Sequence, residues 1–462
     1  MLFVIVAFFG VAYALYGLFR HWHFGSSAFD LGIFDQVVWH LSRFEPPASS
    51  IRGFTNFLGD HFFPVIALFA PLYWLRPGPD TLIAAQAALF AASIVPVFLF
   101  IRSRLPAGPA FGFAIAYGCF WGIQRAMAFD VHETAFAPLA IATAILAIDR
   151  RQWTLFWLSA VAMLLIKEDH IPLVGAFGIY LVIRGEPRQG ATAVVASIAA
   201  FFVLIGLIIP AFNDAGAYGY TSAYASVVAR PWLLPVFLVT PAVKVETALL
   251  WFAPFAFFSL ASPLAILVVP FALTRFLSES PNHWGTVFHY SAPLAPILAM
   301  SAADGLARIA RHLTEGRARL LMTGAAAASV LLSAVLPGRQ PLWRIFAPAH
   351  YASTDRVAVG RALVRMIPEG ASVVAQAAVV PHLSLRDRIY VLNDAAPDGD
   401  YSPCIRLAES MACGRLRGAP AAAEGPSGKG LRRHDREGRV DDSAQSISSM
   451  TLELSEAIRG ST

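Results

Sequence analysis

Carboxylates and imidazoles recur in this chain at the ends of apolar runs. Asp30 and Asp35 stand in FDLGIFDQ, directly after an apolar run that starts at the first residue. Asp60 and His61 follow in GDH, Asp130, His132 and Glu133 in FDVHET, and Lys167, Glu168, Asp169 and His170 in KEDH. His283, His289 and Tyr290 close the series in NHWGTVFHY. A carboxylate held at an apolar surface and partly desolvated acquires the raised pKa that suits a base. Imidazole, ammonium and phenol groups beside it can stabilise a departing phosphate. The set therefore suits group transfer to a hydroxyl, with one carboxylate removing the acceptor proton and cations receiving the leaving group.

Each member also has a plainer role. With Ser27 as N-cap, Asp30 falls at the third helical position, a variant of the capping box that also favours the helix dipole. Both roles can hold together, and Asp30 is the first candidate base. Asp35, a further catalytic candidate, lies five residues on, about 140° around a helix axis, so the two carboxylates cannot both point directly into one site and one of them is structural. Asp60 is a natural N-cap for the apolar segment behind it; His61 is either a phosphate donor or an interfacial histidine. Asp130, His132 and Glu133 fall within one turn and offer oxygen and nitrogen ligands to a divalent metal, a weak signal with no second ligand set beside it. Asp130 reads better as a catalytic carboxylate that orients acceptor or base. In KEDH, Lys167 could pair with Glu168 or Asp169 at a solvated helix end, where such pairs contribute only ~0 to 1 kcal/mol. The sharper reading gives Lys167 to a donor phosphate and Glu168 to the site, with His132, His289 and Tyr290 as further substrate contacts and His283 beside Trp284 in a sugar-stacking loop.

The elements that must position these groups are membrane helices. Of 462 residues, 57% are hydrophobic and 14% charged, against ~25% charged in soluble domains. Apolar runs near residues 1–19, 79–101, 107–124, 133–148, 152–166, 170–184, 191–210, 245–260, 263–277, 291–309 and 319–336 predict about eleven spans. Basic residues gather at Arg102 and Arg104, Arg150 and Arg151, Arg184 and Arg188, and Arg308, Arg311, Arg317 and Arg319. These are alternate loops, cytoplasmic under the positive-inside rule, which puts the N-terminus inside, the C-terminus outside and every candidate site residue on the outer face. FDQVVWHLSRF and HFFPVIALFAPLYWL in the long first outer loop are apolar on one side and too short to span, so they read as juxtamembrane helices framing a groove open to lipid and water. The fold class is thus an all-α polytopic membrane protein over 1–337. A small α/β soluble module follows over 338–400, from a helical stretch near 354–366 and the β-like ASVVAQ and RIYVL. The remainder, 401–462, has the composition of a disordered or frameshifted tail.

Other classes fit less well. The net charge of +5 comes from short arginine clusters and not from a continuous basic face, which argues against nucleic acid. Cys119, Cys404 and Cys413 show neither a disulfide framework nor zinc spacing. A transporter of a small solute or lipid-linked glycan is the main alternative, since acids and histidines at membrane depth also mark ion pathways. It predicts repeated halves with broken helices; no such repeat is found, and the charges gather on one face.

The ordered motifs FDLGIFDQVVWHL, LGDHFFPVIALFAPLYWL, FDVHET, KEDHIPL and FHYSAPLAPIL resemble the bacterial membrane proteins grouped as domain-of-unknown-function family 2079, over roughly residues 20–395. That family is similar to the GT-C superfamily of integral membrane glycosyltransferases. The resemblance implies transfer of a sugar from a polyprenyl-phosphate carrier to a lipid, glycan or protein acceptor on the outer side of the bacterial inner membrane. It also implies a catalytic carboxylate after the first helix, matched by Asp30, and another in the second outer loop, matched by Asp130. The adjacent acidic pair that many GT-C members carry after the first helix is missing here. Some of these transferases work without metal, so no cofactor is required beyond the conceivable divalent ion.

Overall fold

Crossing a hydrocarbon core of ~30 Å takes about twenty helical residues. In the computed structural model, which describes residues 1–338 and 340–393, four helices are long and apolar enough: Leu2–Trp22, Pro79–Arg102, Pro187–Phe212 and Glu315–Val335. A fifth candidate is the pair Thr221–Ala229 and Pro231–Val239, bent by 92°. Large apolar side chains on these elements face outward, Phe3 at 81% exposure and Phe202 at 66% among them. Such surface is costly in water and natural against lipid.

The sequence led us to expect about eleven spans. Helices do occupy most of the expected places, but many are too short to cross alone: Ala137–Asp149, Trp153–Ile166, Ile171–Ile183 and Leu294–Ala310 are examples. The apolar run at 107–124 is cut into Ala107–Gly118 and Trp121–Ala128. The run at 245–260 is α-helical only to Phe252, tightens into a 3₁₀ turn over Ala253–Phe255 and breaks at Ala256 and Phe257, whose φ values are left-handed at +49° and +61°. Hydropathy sums over such breaks, whereas backbone hydrogen bonding does not. The bent pair was not expected either; it lies in a stretch assigned to no span and turns at Arg230-Pro231, where proline cannot donate to the preceding turn.

Small residues set the closest helix packing. Gly178 and Gly190 face each other across the helices Ile171–Ile183 and Pro187–Val203, and a Cβ at either would stand 2.6–2.7 Å from the other's carbonyl oxygen. This is the small-residue contact that lets membrane helices approach closely. Elsewhere the core is aromatic, with Trp121, Trp251, Tyr13 and Tyr117 fully buried.

Two helices lie in the first long loop, Ile33–Ser42 and the apolar Pro64–Leu75. Against this loop rests the segment after the last long helix. It contains the helix Asp355–Met366, capped by Thr354, and two parallel strands, Val373–Ala375 and Ile389–Val391. Val373, Ala375, Val380 and Ile389 share a small core with Phe24 and Ala28. The tail expected at 401–462 lies outside the described residues.

Candidate functional site

The chain leaves the first helix through Ser27, whose hydroxyl accepts from the Phe29 N–H and starts a single wide turn, Ala28–Gly32. Asp30 stands in that turn and is only partly buried. Its Oδ1 lies 2.9 Å from Nε2 of His132, which comes from the loop after Trp121–Ala128. Among the described residues nothing bonds Asp30 Oδ2. Burial alone would lower the His132 pKa, but the Asp30 carboxylate outweighs it and the net shift is upward, which favours an imidazolium paired with a carboxylate.

His132 sits in a cluster of rings that also touch one another, Phe129 and His289 being 5.6 Å apart. Phe129 stacks on it at 5.5 Å and His289 at 3.7 Å, with Tyr290 packed 4.3 Å from His289. Among the described residues, both ring nitrogens of His289 are buried without a partner, as is Nδ1 of His132. Burial first, then the charge on His132, hold His289 well below the usual histidine range and so keep it neutral. Buried imidazoles with empty hydrogen-bonding positions are rare in structural networks, where such atoms find partners.

Lys167 reaches across to this group. Its Nζ lies 3.0 Å from Oε1 of Glu133 rather than pairing with its neighbours in KEDH. Burial would raise Glu133, yet Lys167 wins and holds it below the ordinary carboxylate range. Glu168 accepts from the Phe62 N–H at 2.9 Å, from the Tyr218 hydroxyl at 3.1 Å, and pairs with His61 at 2.5 Å. His61 in turn stacks on Tyr220 at 4.3 Å. The structure thus brings Asp30, His61, His132, Glu133, Lys167, Glu168, His289 and Tyr290 to one end of the helices.

Two expected catalytic carboxylates sit differently. Asp130, at a left-handed φ of +85°, is bound by the Arg20 guanidinium and accepts from the Ser27 N–H at 2.8 Å through its other oxygen. Both oxygens are committed, so Asp130 positions the turn that carries Asp30. Asp35 is buried and accepts from the Tyr73 hydroxyl and, at 2.6 Å, from Ser384. Burial pushes its pKa up to about 7. It joins the helix Ile33–Ser42 to the C-terminal segment, as does Gln36, which donates to the Arg386 carbonyl at 2.8 Å.

The metal reading does not fit. Asp130 is engaged by Arg20, His132 by Asp30 and Glu133 by Lys167, so the three ligands point to three different partners. Among the described residues only His40, Glu45 and Asp387 bring three ligand atoms within 4.8 Å of one another, and Arg43 already holds Glu45 at 2.9 Å. Asp60 is likewise no N-cap: Phe63 occupies that position for the apolar helix, and Asp60 instead accepts from the Tyr220 hydroxyl at 2.8 Å. His283 is bonded to Ser278 at 2.9 Å.

Sequence reasoning passed over Arg20, Gln86, Tyr218 and Tyr220. Gln86, inside a long helix, donates to the Asp130 carbonyl and accepts from the His132 N–H, fixing the loop between them. The tyrosine-rich AYGYTSAY was the available signal for Tyr218 and Tyr220. Their contacts cross to loops 50 and 160 residues away, which no local pattern encodes.

A family described as "Predicted membrane protein (DUF2079)" matches residues 20–403. No curated protein matches the chain.

Proposed function

We propose that this chain, which belongs to the DUF2079 family of predicted membrane proteins, is a GT-C-like glycosyltransferase. It would move a sugar from a polyprenyl-phosphate carrier to a lipid, glycan or protein hydroxyl on the outer face of the inner membrane. The observation that carries this reading is the Asp30–His132 pair, with one carboxylate oxygen free, among cationic and phenolic groups drawn from several loops. In the reaction, Asp30 Oδ2 takes the acceptor hydroxyl proton as that oxygen attacks the anomeric carbon. The bond from this carbon to the phosphate oxygen breaks, the phosphate leaves with the electron pair, and the configuration inverts. His132 fixes the Asp30 carboxylate, and Lys167, His61, His289 and Tyr290 surround the developing phosphate charge.

The arginine clusters support a cytoplasmic N-terminus and an outer Asp30 end. Short helices paired end to end would complete the eleven crossings, and the described part of the segment after residue 338, up to residue 393, would form a small α/β module on the outer side.

One feature favours transport as the second reading. The pair Thr221–Val239 bends by 92° beside Tyr218 and Tyr220, and discontinuous helices line substrate sites in transporters.

The deciding experiment is transfer from radiolabelled polyprenyl-phosphate sugars by the purified protein in lipid, with membrane lipid and glycan extract as acceptor. Label should enter product with the wild type and not with Asp30→Asn. Uptake of the same label into sealed vesicles without new product would replace the transferase with the transporter.

A further inference from the structure

A second feature at the Asp30 end takes no part in the proposed chemistry. A cavity of about 580 Å³ opens beside the end of the first helix, lined by Tyr16, Arg20, Arg125, Gln340, Trp343 and Arg344. Three arginines thus line one cavity, and among the described residues one carboxylate pairs with them, Asp130 with Arg20. Among the described residues Arg125 and Arg344 have no ion pair, and Arg125 Nε is buried with no hydrogen-bond partner. A buried guanidinium nitrogen without an acceptor is costly, so Arg125 awaits an acceptor inside the cavity, while Arg344 stands exposed on its lining. Trp343 on the lining is 54% exposed, and Phe346, 64% exposed, packs 5.9 Å from its ring, an exposed aromatic pair of the kind found at the boundary between lipid and water.

Three arginines suit a phosphate, whose oxygens accept paired N–H bonds from the planar guanidinium. The aromatic rim and the flanking spans suit a lipid tail. We propose that this cavity binds the phosphate or pyrophosphate headgroup of a lipid. Arg125 and Arg344 are its ligands, and Arg20 is shared between the headgroup and Asp130. Because Asp130 also receives the Ser27 N–H that begins the Asp30 turn, occupancy is coupled to the position of Asp30. The inference does not rest on glycosyl transfer, since any phosphorylated lipid satisfies the same chemistry.

The test is equilibrium binding to the full chain in phosphatidylcholine nanodiscs, with farnesyl phosphate, farnesol and inorganic pyrophosphate as probes. Farnesyl phosphate should bind the wild type, and Arg125→Gln with Arg344→Gln should weaken it by about 100-fold, roughly tenfold for each charged hydrogen-bond set. Farnesol should bind at least about tenfold more weakly, because the headgroup supplies the charged hydrogen bonds. Equal binding of farnesol, or unchanged affinity in the double variant, overturns the site. Pyrophosphate binding as tightly as farnesyl phosphate overturns the lipid as its source. Arg344 is exposed, so Arg344→Gln alone, checked for an unchanged melting temperature without ligand, decides the question if the double variant does not fold.

Discussion

The two ends of the helices treat charge in opposite ways. At one end Arg104 holds Asp149 at 2.5 Å and Asp304 at 3.1 Å, while Arg308 and Ser262 both reach the second oxygen of Asp304 at 2.7 Å. The remaining oxygen of Asp149 also accepts from Arg104, at 3.1 Å. Every carboxylate oxygen in that network is satisfied. At the other end, among the described residues, Asp30 Oδ2 has no hydrogen-bond partner, and three imidazole nitrogens of His132 and His289 are buried without partners. Space does not distinguish the ends, since a cavity of about 600 Å³ opens onto the Arg104 network as well. What differs is unused hydrogen-bonding capacity: a closed network fixes helices, whereas an open one retains the means to bind and react.

The largest effect should come from the open end. Asp30→Asn keeps the shape of the turn but removes the base, so transfer should fall by about 100- to 10,000-fold, the span usual for general-base catalysis, with little change in thermal unfolding. A variant that unfolds instead would make Asp30 a member of a closed network and erase the contrast.

Arg104→Ala tests the closed end. It leaves Asp149 and Asp304 without their shared cation, and losing the charged hydrogen bonds of this partly buried network costs about 1.5–3 kcal/mol. Unfolding in detergent should register this loss. Undiminished stability would show that the network is not what joins these helices.

Asp35 sharpens the comparison through pH. Burial raises its pKa to about 7, against hydrogen bonds from Ser384 and Tyr73. The folded form therefore keeps a proton that the unfolded chain releases near pH 4, as an ordinary aspartate does. Stabilisation is complete below about pH 4 and is lost as pH rises through about 7. Hydrogen exchange in Val373–Ala375 and Ile389–Val391, corrected for intrinsic rate, should quicken across that interval, and Asp35→Asn should flatten the profile. A flat wild-type profile would separate Asp35 from docking of the C-terminal segment.

The smallest effect belongs to an exposed pair outside both networks. Arg76 lies 3.2 Å from Asp80 with its side chain 76% exposed, and Arg76→Ala should change stability by about 0–1 kcal/mol. A larger loss, measured in the same unfolding assay, would mean that burial is not what separates weak charge pairs from strong ones here.

Much of the site could be read in the chain because its residues are polar groups in apolar surroundings. Asp30, His132, Lys167 and Glu168 stand out wherever hydropathy is high, and alternate arginine clusters mark the opposite end. Their pairings could not be read. KEDH offered Lys167 either its neighbours or a donor phosphate, and nothing near it pointed to Glu133 in another loop, which its ammonium bonds. Asp130 follows a phenylalanine at the end of an apolar run as Asp30 does, yet Arg20 commits it to structure. Asp35 was assigned to chemistry because Ser384, almost 350 residues away, leaves no trace near it.

By itself, the sequence determined that this is a helical membrane protein with its unusual charges beside apolar helices, because burial in lipid demands long apolar runs and makes each exception conspicuous. Only the tertiary structure decided which helices are long enough to cross and which carboxylate keeps a free oxygen. Helix breaks depend on single backbone dihedrals, and ion pairs depend on which loops meet, neither of which composition or spacing contains.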